Sequence, residues 1–162
     1  MGTGKSTVGR RMAQGLGRRF LDTDVLIEME AGMTISALFA ERGEPYFRAL
    51  EHEIVCRVSE GRNLVVATGG GVMTNEANVQ KLKESGMIVC LTATPEVIFS
   101  RVRGNADRPL LQGKNPMAKI RTLLATRAEA YAKADLTVDT SHLSTDDVIE
   151  TIHARLKATA RL

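Results

Sequence analysis

Tryptophan is absent from this chain of 162 residues, and aromatic residues of all kinds make up only 4% of it. That removes the stacking platforms on which single-stranded nucleic acids are held. The net charge is only +3 and the arginines are scattered along the sequence, so the dense basic stripe of a duplex binder is missing as well. No nucleic-acid partner is expected. Cysteine is scarce: Cys56 and Cys90 each sit in an apolar run, EIVCRV and MIVCL. They read as small hydrophobes in a reducing compartment, not as a disulfide framework. No apolar run reaches the about 18 residues that a membrane span needs, and Met1 leads directly into Gly2-Thr3-Gly4-Lys5, unlike a secretory leader. What remains is a cytoplasmic globular protein, a single domain over 1–162, with 43% hydrophobic and 25% charged residues and enough length to bury a core without metals or disulfides.

Short apolar runs alternate with helical stretches. FLDTD ends a short strand, LVVAT (64–68) and MIVCLTA (87–93) are continuous apolar runs of strand length, the mark of strands buried on both faces, and LTVDT (136–140) is a fourth strand. Between them the pattern predicts helices over Ser6 to Leu16, two short pieces within Val25 to Glu41, and then Tyr46 to Glu60. Further helices are predicted over Glu76 to Glu84, Pro95 to Arg103, Met117 to Ala134 and Thr145 to Lys157. Pro95 falls in a first turn, where its missing N–H costs nothing, and Ser144-Thr145-Asp146-Asp147 supplies a hydroxyl cap followed by acids. Strands alternating with helices imply an α/β protein with a parallel β-sheet and helices on both faces. The long irregular stretch GNADRPLLQGKNP carries Arg108 and Lys114; a loop of that length in a compact domain suggests a lid, over about 104–117.

Several motifs carry chemistry. GTGKST at the start feeds an amphipathic helix. Backbone N–H groups at such a turn, with the positive end of the helix dipole, make an anion cradle. Lys5 would reach β- and γ-phosphates there, and the Ser6 hydroxyl would face Mg²⁺. A merely glycine-rich terminus is the plain alternative. Asp22 and Asp24 of DTD stand at a strand's carboxyl end, where ligands collect in open α/β sheets. Two apart on extended backbone, they would face one way, although either alone could simply cap a helix. Thr68-Gly69-Gly70-Gly71 follows LVVA; three consecutive glycines fit a place where backbone approaches a ligand closely. Phe47, Arg48 and Glu51 open a helix in which Glu51 could orient the arginine, and RPLL and RAEAY add Arg108 and Arg127.

Taken in order, GxGKST, DTD, FRxxE, TGGG, RPLL and RxxxY resemble the shikimate kinase family from Gly2 to the last helix. The resemblance implies a P-loop fold of the nucleoside-monophosphate-kinase type, three layers around a parallel sheet of strand order 2-3-1-4-5. It implies transfer of the ATP γ-phosphoryl group to the 3-hydroxyl of shikimate, with Mg²⁺, by a monomer. On that resemblance Gly2, Thr3, Gly4, Lys5, Ser6 and Thr7 form the nucleotide loop, Ser6 binds Mg²⁺ and Asp22 meets the metal through water. Asp24 grips the shikimate hydroxyls and orients or deprotonates the attacker. Arg48 and Arg127 clamp the carboxylate, Phe47 lines the ring site, and Gly69, Gly70 and Gly71 offer backbone contacts. Arg108 closes with the lid on the transferring phosphate, and Arg101 stacks on adenine.

The chain departs from the family pattern in two places. The full loop pattern G-x-x-x-x-G-K-[ST] places a glycine five positions before Gly4, upstream of Met1, and a strand before that. The first strand of the sheet is therefore expected to be missing. Met1 then reads as an internal methionine, with roughly ten residues before it; a chain truly starting there is expected to fold poorly and be largely inactive. Leu143 and Thr145 also stand where family members often carry an arginine and a proline. Two rival functions stay open: another small-molecule P-loop kinase, for gluconate or a nucleotide, and a non-catalytic remnant.

Overall fold

The structure, a computed structural model, describes residues 2–103 and 115–159. Its contacts divide the chain into two compact units, Gly9–Met87 and a second made of Met1–Val8 with Ile88–Leu162. The boundary falls inside the first helix, α1 (Lys5–Gly15).

In the unit Gly9–Met87, β1 (Arg19–Asp22) pairs parallel with β2 (Leu64–Ala67), from Arg19 opposite Leu64 to Asp22 opposite Ala67. Two parallel strands need a crossover, and α2 (Thr23–Ala31) with α3 (Ile35–Ser59) supplies it. Asp22 caps α2 by accepting from the Asp24 N–H at 3.1 Å, and Gly32 ends it at φ 67, a conformation that a side chain would resist. Thr34 then caps α3. Gly43 breaks α3 at φ 77, ψ 171, and Pro45 follows two residues on. Proline can begin a helix but not continue one, so α3 is two helices meeting at a corner, close to the break expected between Glu41 and Tyr46. Ile27, Leu38, Phe47, Leu50, Ile54 and Val58 of α2 and α3 form the core of this unit, each contributing about 1.5–3 kcal/mol by leaving water. A 3₁₀ turn (Val72–Thr74) leads to α4 (Glu76–Ser85), capped by Asn75 and packed on α3.

In the other unit, β3 (Val89–Thr92) pairs parallel with β4 (Leu136–Asp139), from Val89 opposite Leu136 to Thr92 opposite Asp139. α5 (Pro95–Val102) opens on a Thr94 cap with Pro95 in its first turn, as expected, and packs on α6 (Pro116–Tyr131) around Ala93, Ile98, Val102 and Ile120. α7 (Thr145–Ala158) begins with the cap read from the sequence, made reciprocal by Asp147. The hydrogen bond from the Ser144 hydroxyl, and then one from its backbone N–H, hold the Asp147 carboxyl below its ordinary value. Val148, Ile152 and Leu156, spaced by four, form its buried face.

Among the described residues the strands form two separate parallel pairs, β1 with β2 and β3 with β4. The expectation of strands buried on both faces is corrected. Most strand residues are half-buried, and only Ala67, Leu91 and Val138 are buried outright. The reason is pairing: each strand has a single hydrogen-bonded neighbour among the described residues. No helix among them is long and apolar enough to cross a membrane.

Candidate active site

The first cluster is built where β1 and β2 end. Asp22 and Ala67 are register partners at the last rung; beyond them the chain turns into α2 on one side and the triple glycine on the other. The two are tied by the buried Thr23 hydroxyl, which accepts the Gly69 N–H at 3.1 Å. Asp24 then stands over Gly69 so closely that a Cβ there would lie 2.6 Å from Asp24 Oδ1 and 3.3 Å from Glu51 Oε1. Only glycine leaves that space. The paired acids of DTD do not share an extended segment, as the spacing suggested: Asp22 ends a strand and caps the helix, while Asp24 sits in its first turn. The capping bond therefore falls to Asp22 and not to Asp24.

Arg48, just past the Gly43 corner, reaches the same glycines. Its Nη1 donates to Glu51 Oε2 at 2.7 Å, while Nε and Nη2 donate to Glu44 Oε1 at 3.2 and 3.1 Å. The Glu51 side chain is 2% exposed and that of Arg48 32%, so the pair is anchored on the buried side and open on the other. Burial works against the Arg48 charge, but Glu51 and then Glu44, by hydrogen bond and charge, outweigh it and hold the guanidinium above its ordinary value. The group also lies 5.0 Å from the Phe47 ring centroid, and Phe47 is buried against Phe39. A Cβ on Gly71 would strike the Arg48 guanidinium. The result is a fixed cationic fork beside glycine backbone and a carboxylate, which suits a small anion bearing hydroxyl groups.

The second cluster belongs to the other unit. Gly2 and Gly4 take φ 67 and 87, and Lys5 and Ser6 open α1. At Gly2 a Cβ would lie 2.8 Å from Val102 Cγ1 and 3.3 Å from the Ile98 carbonyl oxygen, so both conformation and space demand glycine. α1 has no acid in its first turn, leaving the positive end of its dipole uncompensated by the helix itself. Thr3 is buried, and its Oγ1 has no hydrogen-bond partner among the described residues. Arg101 on α5 donates to Thr140 Oγ1 at 3.0 Å, to the Thr140 carbonyl at 2.7 Å and to the Gly2 carbonyl at 3.5 Å. Thr140 Oγ1 in turn donates to the Thr92 carbonyl at 2.9 Å. These bonds lash the loop to the ends of β3 and β4.

The structure therefore gathers Asp24, Phe47, Arg48, Gly69 and Gly71 in one unit, with Asp22 and Gly70 alongside. It gathers Gly2, Thr3, Gly4, Lys5, Ser6, Thr7 and Arg101 in and around the loop of the other. Arg127 is half-buried on α6, in the loop's unit and not that of Arg48. Arg108, Lys114 and most of the expected lid, 104–114, lie outside the described residues. Sequence reasoning missed Thr23, Glu44 and Thr140. Thr23 gave one usable signal, a hydroxyl between two acids at a strand end; the other two became partners only through folding.

Comparison with known proteins agrees with this geometry. The family model for shikimate kinase matches residues 1–157. A shikimate kinase of Thermoanaerobacter pseudethanolicus is 44% identical over 162 residues, covering 100% of this chain and 93% of its own. Among solved structures, a shikimate kinase from Acinetobacter baumannii in complex with shikimate superposes with a TM-score of 0.93 at 38% identity, over 98% of this chain and 89% of that one. One from Bacteroides thetaiotaomicron gives 0.89 at 33% identity, over 97% and 94%. The three-layer α/β P-loop kinase fold read from the motifs is the fold of these structures, and this chain belongs to the shikimate kinase family.

Proposed function

We propose that the protein transfers the γ-phosphoryl group of ATP to the 3-hydroxyl of shikimate, giving shikimate 3-phosphate and ADP on the route to chorismate and the aromatic amino acids. The observation that carries this reading is the Arg48 fork, fixed by buried Glu51 beside the triple glycine and Asp24, in a chain of this family. Nucleotides carry no carboxylate for that fork; gluconate does, and the family match is what favours shikimate over it. Arg48 and, on this reading, Arg127 bind the shikimate carboxylate; Asp24 holds the hydroxyls, with backbone at Gly69, Gly70 and Gly71 and the Phe47 ring completing the acceptor site. The loop Gly2 to Thr7 binds the ATP phosphates, Lys5 stabilises charge on the moving group, and Arg101 borders adenine, with Arg108 assigned to the closing lid. The 3-hydroxyl oxygen bonds to the γ-phosphorus, the bond to the β–γ bridging oxygen breaks, and the hydroxyl proton passes toward Asp24. Such transfer depends on positioning and charge neutralisation more than on covalent chemistry.

Ser6, directly, and Asp22, through water, would hold Mg²⁺. Hydroxyl and carboxylate oxygens are the hard donors this ion takes, usually few in number beside substrate phosphates. The donors present, a hydroxyl at the start of α1 and a carboxylate at the end of β1, fit that habit. Bound there, the ion would neutralise β- and γ-phosphate charge. The same reading has the enzyme working as a cytoplasmic monomer on two small anions.

ADP release measured with shikimate, gluconate and a nucleoside monophosphate in parallel tests the assignment. Shikimate alone is expected to raise release above background. A folded sample that binds ATP yet ignores shikimate would sink the reading, in favour of another acceptor if one responds and of a remnant if none does.

Gly71→Ala isolates the acceptor site further. Gly71 has φ −90, so alanine costs no backbone strain, but its Cβ displaces the Arg48 guanidinium from its place beside Glu51. The shikimate KM is expected to rise about tenfold, or about 1.4 kcal/mol, with the KM for ATP near wild type and a lowered melting temperature, because Glu51, 2% exposed, loses part of its pairing. An unchanged shikimate KM would remove Arg48 from the site.

A further inference from the structure

Away from both clusters, two helices bring a thiol, an imidazole and an amide into series. Cys56 Sγ lies 3.6 Å from His52 Nε2, one turn earlier on α3, and His52 Nδ1 lies 2.6 Å from Asn78 Oδ1 on α4. Asn78 is 0% exposed, and its Nδ2 donates to the Val72 carbonyl at 3.4 Å. That bond fixes the amide: turned over, it would set one oxygen against another. Asn78 Oδ1 therefore faces His52, and an oxygen acceptor requires the proton on Nδ1. Nε2 is then left with its lone pair toward the thiol. A nucleophile, a base and a group orienting the base stand in the order that activates a thiol.

We propose that Cys56 is a covalent modification site, at which His52 deprotonates the thiol and a low-molecular-weight disulfide adds to form a mixed disulfide. His52 Nε2 takes the proton and Sγ attacks one sulfur of the disulfide. The S–S bond breaks, its electron pair leaves with the second sulfur, and that thiolate recovers the proton from His52. One thiol and one disulfide enter; one mixed disulfide and one thiol leave. Cys90 provides an internal contrast. It is equally half-buried, but burial pushes its thiol above the ordinary value, and no histidine stands beside it among its hydrogen-bond partners in the described residues.

The test is the rate of modification by 2-hydroxyethyl disulfide at neutral pH, followed by peptide mass spectrometry. Cys56 in the folded protein is expected to react about tenfold faster than in the free peptide EIVCRV, although folding shields it, because a base held beside the thiol takes its proton as the sulfur attacks. His52→Gln is expected to remove that advantage, and Cys90 to react more slowly than the peptide. A folded-protein rate for Cys56 at or below that of the peptide overturns the proposal, whether or not the variant folds. So does a folded His52→Gln protein whose Cys56 reacts as in wild type.

Discussion

Arg48→Ala is expected to lower kcat/KM for shikimate by about 30- to 300-fold, nearly all through KM, with the KM for ATP unchanged. Truncating one member of a hydrogen-bonded charge pair in a binding site costs about 2–5 kcal/mol, and each tenfold is about 1.4 kcal/mol. The lower half of that range applies, because Arg48 is open to water on one side. The loss falls on KM because the carboxylate that the fork holds is remote from the reacting hydroxyl and does not change charge in the transition state. Binding of that kind is uniform along the reaction. Arg48→Lys should recover little, since an ammonium cannot present two parallel donors to a carboxylate. Glu51 complicates the simple variant. At 2% exposure it would be left as a buried charge without its partner, which destabilises the fold. The double variant Arg48→Ala with Glu51→Gln separates the two effects: stability should return toward wild type while shikimate affinity does not. A shikimate KM within twofold of wild type in that folded double variant would show the arginine to be structural only.

The same pair shows what the sequence could and could not disclose. Glu51 was legible as a partner because i,i+3 on a helix fixes proximity regardless of the rest of the fold, and the bond is there. Glu44 is four residues before Arg48, but it lies at the Gly43 corner, outside any regular helical pattern, so no period pointed to it. The triple glycine announced a close approach without saying of what. The structure answers with the Asp24 carboxylate at Gly69 and the Arg48 guanidinium at Gly71. Element boundaries came through at Thr94 and Ser144, where a side chain caps its own helix, because that chemistry is local. The register of β1 on β2 and the bond from Gly69 to Thr23, 46 residues apart, depend on tertiary packing and left no local trace. Arg101 was read from resemblance as an adenine neighbour; its bonds to Thr140 and Gly2 show it holding the loop, which no motif encodes.

Lys5→Met should lower kcat by about 10²- to 10³-fold, the range found when a fixed group that stabilises transition-state charge is removed, while leaving the shikimate KM alone. The contrast with Arg48 follows from where charge moves: it develops on the transferring phosphoryl group, not on the acceptor's carboxylate. The second half of the prediction concerns stability and has the opposite sign. Lys5 is the first residue of α1, and no acid shares its turn, so its ammonium faces the positive end of the helix dipole. Cations there cost about 0.3–1 kcal/mol. Removing the charge should therefore raise the melting temperature of the ligand-free protein slightly, and the gain should fade as salt screens the dipole. With ATP present the order should reverse, because wild type then gains binding energy that the variant lacks. A group kept for packing would behave otherwise: its loss would destabilise the free protein and leave kcat nearly intact. Both readouts come from the same two samples, melting curves with and without ATP and one set of initial rates. A lower melting temperature together with preserved kcat would remove Lys5 from the phosphate site.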